Sequence, residues 1–300
     1  MGIIEVGISL KFAPKTNPEQ TVGQIVDYYN RMEPSFLNVW QGACHFGYTE
    51  KGERFELKSA LKTMEMRLGQ ELNLHLNSTV LDAGCGYARV ATTMAQQFGL
   101  NVLALDLIQK RLDEAKRYAR EQGVEEKVSL IRGNYCNMKK QIADFSIDGV
   151  YTMETLVHAD PLETALSEFR RVLKPGGKLV LFEYSVPSYE KLDPIRRTIT
   201  DAMVRKTGMP SIKFFAHGAF PKILEAAGFE NIAMKDISHN VWPTWRWAFW
   251  RNLRENNLML LPKILSGKIM KNTNLMAALM IYPYRHQLKY NIITATKPKD

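Results

Sequence analysis

Apolar positions recur at helical spacing over the first quarter of the chain and then change period. Val22, Ile25, Val26 and Tyr29 fall three and four residues apart, which predicts a helix from about Thr21, and a second helical run covers Glu53 to Leu72. Residues 1–20, with Pro14 and Pro18, read as an irregular lead-in. Between the helical runs lies Trp40-Gln41-Gly42-Ala43-Cys44-His45-Phe46-Gly47-Tyr48, a glycine-punctuated loop dense in aromatic rings. From Thr79 onward, short apolar runs alternate with amphipathic stretches. The strands expected are Thr79–Ala83, Asn101–Leu105, Val128–Arg132, Gly149–Tyr151 and Lys178–Tyr184, separated by helices at Val90–Phe98, Gln109–Gln122 and Leu162–Leu173. Lys174-Pro175-Gly176-Gly177 stops the last helix and leads into the next strand. After a less regular region come a helix near Phe220–Ala227 and a strand over Asn231–Ile237. Strands alternating with helices predict an α/β fold with a parallel sheet and crossover helices.

This pattern divides the chain into a helical N-terminal cap (1–78), an α/β core (79–240) and a C-terminal cover (241–300) within the same domain. Apolar residues make up 45% and charged residues 24%, an ordinary globular composition. The longest apolar run, Leu275 to Tyr282, is less than half of what a membrane span needs. Glu5 stands early and no basic stretch precedes it, so no secretory signal is expected; Val6 occupies the position where a myristoylation signal wants Ser or Thr. Cys44, Cys85 and Cys136 form no Cys-x-x-Cys pair, which fits a reducing compartment and excludes a cysteine zinc cage. A soluble, cytoplasmic protein is expected.

Charge alters this picture only when it is located. Of the net charge of +9, +8 falls in residues 241–300, which also hold Trp242, Trp245, Trp247 and Trp250, four of the five tryptophans. A basic, aromatic tail suits something anionic and partly apolar, such as a phosphorylated lipid-like substrate or a bilayer surface touched peripherally. Arg246, Arg251 and Arg254 are candidates for a head group. No nucleic-acid reading module is present, and nucleic acid is not expected as a partner.

The candidate chemistry begins at Thr79-Val80-Leu81-Asp82-Ala83-Gly84-Cys85-Gly86-Tyr87-Ala88. Glycines between a strand and a helix let the backbone turn tightly and approach a ligand. Asp106 closes the second strand, where an acid can hold both hydroxyls of a ribose. Two nucleotide classes compete for such a turn. A carboxylate at Asp82 repels a pyrophosphate but orients an amino group, so S-adenosyl-L-methionine is favoured over a nicotinamide dinucleotide.

Asp82-Ala83-Gly84-Cys85-Gly86, Asp106 and Arg171-Val172-Leu173-Lys174-Pro175-Gly176-Gly177 resemble class I S-adenosylmethionine-dependent methyltransferases, over about Thr79 to Phe229. The resemblance implies a Rossmann-like sheet with helices on both faces, and cofactor contacts from Asp82, Gly84, Gly86, Asp106, Leu107, Asn134, Tyr135 and Glu154. Many members have Asp where Asn134 stands; its amide oxygen can still accept from an adenine amino group. Tyr151-Thr152-Met153-Glu154-Thr155-Leu156-Val157-His158-Ala159-Asp160 and Phe182-Glu183-Tyr184 resemble the sterol and terpenoid C-methyltransferase group, as do Tyr28-Tyr29-Asn30, Trp40 and His45-Phe46-Gly47. In that group the N-terminal helices cap the substrate cleft.

Methylating an alkene leaves a carbocation, which needs aromatic faces or carboxylates to hold it and a base to remove a proton. Candidate bases are His158, Glu154 and His45, with Glu183 and Asp27 as stabilising carboxylates. Tyr28, Tyr29, Trp40, Phe46, Tyr184, Trp242, Trp245 and Arg246 are the candidate substrate contacts. No metal site is expected. C-methylation of a prenyl diphosphate, terpenoid or sterol is the expected reaction. The alternatives are O- or N-methylation of a natural product with His158 as base, and a non-catalytic cofactor-binding subunit.

Overall fold

A computed structural model describes residues 18–256 and 286–299. The cap is built from α1 (Pro18–Asn38) and α2 (Leu57–Leu72). Helix α2 opens at Glu56, whose carboxylate accepts from Lys58 N and Ser59 N, and closes at Asn73 in the left-handed region. Both ends thus satisfy backbone groups that a helix leaves unpaired.

The core follows as β1 (Thr79–Ala83), α3 (Arg89–Phe98), β2 (Asn101–Asp106), α4 (Gln109–Glu121), β3 (Val128–Arg132), β4 (Ile147–Met153), α5 (Leu162–Val172) and β5 (Leu173–Ser185). Then come α6 (Pro194–Thr207), α7 (Phe220–Ala226), β6 (Glu230–Asp236), α8 (Ser238–Asn256) and β7 (Lys289–Thr296). The sheet runs β3-β2-β1-β4-β5-β7-β6, with β1 to β5 parallel and β7 antiparallel to both neighbours. This is the Rossmann-like class I methyltransferase fold. Strand pleating sends Val80, Val102 and Val180 into one core with α2 and α3, and Leu81, Leu105 and Leu179 into the other with α5. Strands buried on both faces are near-continuous apolar runs, which is why the sequence shows them clearly. Chain order reverses beside β1, and the crevice at the carboxyl ends of β1 and β2 is where such a sheet binds its ligand.

The tail does not act only as a cover. Residues Lys289 to Thr296 return into the sheet, pairing from Ser185↔Lys289 to Lys178↔Thr296 on one side and with β6 on the other. Tyr290 and Ile292 face one core while Ile293 and Ala295 face the other, all nearly sealed from solvent. The sheet therefore takes in residues beyond 240, and the tryptophan-rich start of the tail belongs to α8. Helix α6 arises in the stretch that reads as irregular, capped by the Asp193 carboxylate accepting from Arg196 N.

Candidate active site

The strand β1 ends in Gly84 at φ 99° and Gly86 at φ 56°. A Cβ on Gly84 would lie 2.8 Å from Thr155 Cβ, so this turn has room for hydrogen alone. Gly84 N and Cys85 N both donate to Leu105 O at 2.9 Å, tying the turn to β2. Asp106 accepts from Gly86 N and Ile108 N, one on each carboxylate oxygen, both at 2.9 Å. Each oxygen keeps a lone pair for a ribose hydroxyl. Asp82 is buried, its Oδ2 has no hydrogen-bond partner, and burial pushes its carboxyl up to about 7. An orphaned carboxylate oxygen behind a glycine turn, with a ribose-holding acid alongside, fits S-adenosyl-L-methionine.

Gly84, Leu105, Asp106, Leu107, Ile108, Gly133, Tyr135, Thr155 and His158 line one cavity of about 40 Å³, which Arg111 of α4 and Ile25 and Tyr29 of α1 close. Six expected residues, Gly84, Asp106, Leu107, Tyr135, His158 and Tyr29, are thereby brought together. Gly86, Asp82, Asn134 and Glu154 do not line it. Asn134 turns its side-chain oxygen to Cys136 N at 2.8 Å. A larger cavity, about 510 Å³, lies between α4 and the edge strand β3 and holds none of the site residues.

His158 ends a one-turn helix after β4. Its Nδ1 lies 2.7 Å from Gly208 O, and a carbonyl only accepts, so Nδ1 carries the proton. Nε2 is then a lone pair that accepts from the Tyr29 hydroxyl at 2.9 Å. Burial pulls the imidazole down to about 4, so the ring is neutral at pH 7. The Tyr28 and Tyr29 rings stand 6.5 and 5.3 Å from it.

Arg111 is nearly fully buried and was not expected in the site. Its guanidinium sits 4.4 Å from the Tyr29 ring centroid and 4.6 Å from that of Tyr87, donates to Cys44 Sγ, and lies 3.9 Å from Asp106. Its neighbours at four-residue intervals, Ala115 and Ala119, are buried, and that shared register was the available signal.

Glu154 follows β4 in a left-handed conformation, φ 59°. Its Oε1 accepts from Phe46 N at 2.7 Å and from the Tyr290 hydroxyl at 2.8 Å, while burial pushes the carboxyl up to about 7. Around it runs a chain of ring contacts: Trp247 to Trp40 at 5.5 Å, Trp40 to Phe46 at 5.8 Å, Phe46 to Tyr290 at 6.3 Å, Tyr290 to Tyr184 at 6.1 Å. Trp40, Phe46 and Tyr184 thus come together, joined by Trp247 of the tryptophan cluster and by Tyr290, which was not among the expected contacts.

Other expected residues lie apart from this cavity. His45 turns away from the cavity, with Nδ1 2.9 Å from Phe46 O and Nε2 3.6 Å from Glu65 Oε1 on α2. Glu183 is sealed beneath the site and accepts from Leu156 N at 2.8 Å, which ties it to the turn that carries His158. Trp245 fills the core at 2% exposure because α8 packs that face on β7, and Trp242 packs against the same core. Arg246, next to Trp245 on α8, is exposed, as is Asp27 on α1. No group of three potential metal ligands occurs among the described residues.

A family model described as a methyltransferase domain matches residues 81–181. The S-adenosyl-L-methionine-dependent Diels-Alderase of Talaromyces variabilis is 33% identical over 238 residues, covering 77% of this chain and 81% of that protein. The sterol 24-C-methyltransferase of Yarrowia lipolytica is 30% identical over 221 residues, covering 73% of this chain; the chain spans 56% of that relative's length. Among solved structures, the cyclase SpnF aligns with a TM-score of 0.73 at 23% identity, covering 96% of this chain and 99% of that one.

Proposed function

The chain belongs to the S-adenosylmethionine-dependent methyltransferase family, with S-adenosyl-L-methionine as its cofactor, and from that premise we propose that it methylates an alkene carbon of an isoprenoid or sterol-type acceptor. One observation carries the reading: a buried carboxylate, Glu154, stands among aromatic rings beside the cofactor pocket. A hydroxyl or amine acceptor has no need of such a cradle, whereas a carbocation does.

S-adenosyl-L-methionine, when bound, would supply an electrophilic methyl group for the acceptor's π pair, the C–S bond breaking with its electron pair left on the sulfur of S-adenosylhomocysteine. Closure of α1 excludes water, which would otherwise capture a carbocation. The faces of Tyr28 and Tyr184 and the Glu154 carboxylate stabilise the positive charge on the acceptor. Glu154 then accepts the proton from the neighbouring C–H bond, whose electron pair becomes the new alkene. His158, neutral with a free Nε2 once Tyr29 parts from it, is the base that an O- or N-acceptor would require.

A second reading is supported by the Diels-Alderase, of whose length the chain covers 81%: the rings around Glu154 hold a polyene folded for cyclisation, with no methyl transfer. Delivery of an apolar acceptor from an anionic bilayer is supported by Arg246, Trp250 and Arg254, exposed at four-residue spacing on α8, and is tested by liposome flotation.

The deciding experiment incubates the protein with methyl-labelled S-adenosylmethionine and a panel of prenyl diphosphates, a side-chain-unsaturated sterol, a linear polyene, phenols and amines. Label in a new C–C bond with equimolar S-adenosylhomocysteine is the expected result. Label only on oxygen or nitrogen rejects the carbon acceptor. An isomerised polyene without S-adenosylhomocysteine selects the cyclase.

A further inference from the structure

Tyr290 comes from a part of the chain far from every motif of the site, and it reaches Glu154 only because β7 inserts beside β5. We propose that Tyr290 is a positioning residue for Glu154: with Phe46 N–H it fixes one carboxylate oxygen and leaves the other for the acceptor. This rests on the reading above, in which Glu154 meets the acceptor. Both hydrogen bonds end on Oε1, at 2.7 Å from Phe46 N and 2.8 Å from Tyr290 Oη. A carboxylate held this way has a fixed plane, with Oε2 turned from the pair of donors.

The donor is itself immobile. Tyr290 is fully buried, pairs with Tyr184 in the sheet, and packs its ring on Phe46 and Tyr184. Tyr290 N donates to Ser238 Oγ and Ile237 N donates to Tyr290 O, so the start of α8 pins this end of β7. Glu154 meanwhile keeps a left-handed backbone that a glutamate holds only when its surroundings impose it. Its N–H donates to Phe182 O.

The same two donors set the charge. Burial raises the Glu154 carboxyl, and the Phe46 N–H, His45 and Tyr290 hydroxyl oppose that rise, leaving it near 7. The other titratable groups that sense it are Cys44, Tyr28, Glu183 and Tyr184. Glu183, lifted by burial to about 8, is mostly protonated at neutral pH and adds little charge there. Removing the Tyr290 hydroxyl therefore leaves burial less opposed, and Glu154 ionises at higher pH.

The test reads Glu154 directly, by 13C NMR titration of protein labelled at glutamate carboxyl carbons, with Glu154→Gln assigning the resonance. Tyr290→Phe keeps the ring and should raise the titration midpoint by about one pH unit. A 3-fluorotyrosine at position 290, a stronger donor with the same packing, should lower it. Midpoints unchanged in both variants overturn the proposal. In turnover, Tyr290→Phe should lower kcat at neutral pH, with recovery at higher pH and an unchanged KM for S-adenosylmethionine; a pH-independent loss would also overturn it. The NMR shift survives if the acceptor proves not to be an alkene, so failure of the alkene reading is seen separately.

Discussion

Tyr29 on α1 donates its hydroxyl to His158 Nε2 at 2.9 Å, across 129 residues of sequence, and its ring carries the Arg111 guanidinium on one face. One cap residue thus closes on both the candidate base and the cofactor pocket. The cavity behind it is about 40 Å³, far smaller than the cofactor, so the proposed binding of S-adenosylmethionine here requires Tyr29 and Arg111 to give way.

Replacing Tyr29 by Phe removes that hydrogen bond and keeps the stacking. A net hydrogen bond contributes about 1 kcal/mol, so S-adenosylmethionine should associate about fivefold faster by stopped-flow fluorescence. An unchanged association rate would mean that α1 does not gate entry.

Glu65 anchors the aromatic loop to the core. It is buried, accepts from Arg89 Nε at 2.7 Å and the Thr93 hydroxyl at 2.5 Å, and faces His45. Despite burial, which alone would raise it, the His45, Arg89 and Thr93 interactions hold its carboxyl down at about 2, against 4.5 when free. A depressed carboxyl contributes stability that is present above pH 4.5 and lost as pH falls towards 2. Glu65→Gln should therefore destabilise by about 3 kcal/mol at pH 7 and by much less at pH 3, read by chemical denaturation. Equal losses at the two pH values would remove the charge from the explanation.

How much of this was legible from sequence depends on how local each signal was. The glycine turn at Gly84 and Gly86 and the acid at Asp106 each sit at the end of a short strand that the local alternation marks, and the fold reproduced those elements within one to three residues at most ends. Glu183 could be recognised as a buried-motif acid, but whether it faces a substrate or Leu156 N depends on which side of β5 meets the cavity. Tyr290 and Trp247 were hidden for a different reason. The run Tyr290-Asn291-Ile292-Ile293-Thr294-Ala295 has the β-branched content of a buried strand, yet it pairs antiparallel with β5, more than a hundred positions upstream in sequence. Periodicity shows that a segment can be a strand and never which strand it joins.

Glu183 titrates in the opposite sense to Glu65. Burial raises its carboxyl from 4.5 to about 8. A raised acid contributes stability that is full below pH 4.5 and lost as pH rises through about 8, at about 1.4 kcal/mol per pH unit across that window. Glu183→Gln keeps an oxygen to accept from Leu156 N and carries no proton to lose. The variant should gain thermal stability relative to the parent as pH rises from 5 to 9, by scanning calorimetry. A constant difference would mean that Glu183 is not held protonated by the fold.

The glycine turn supplies the sharpest separation of cofactor binding from folding. Gly84 adopts φ 99°, and a Cβ there would stand 2.8 Å from both Thr155 Cβ and Cγ2. Thr155 cannot swing aside freely, because its hydroxyl donates to Ala83 O at 2.6 Å and its carbonyl accepts from the Tyr135 hydroxyl at 2.8 Å. Gly84→Ala thus forces strain of about 1–3 kcal/mol into the backbone and displaces Thr155 and Tyr135 from the cavity wall. Thr155→Gly removes all three clashing atoms, Cβ, Cγ2 and Oγ1, and leaves Gly84 intact. Isothermal titration with S-adenosylmethionine should show binding weakened at least tenfold in Gly84→Ala. Gly84→Ala combined with Thr155→Gly should regain part of that loss, since the steric component disappears while the φ strain stays. No recovery in the double variant would assign the whole effect to the backbone; full affinity in Gly84→Ala would move the cofactor away from this turn.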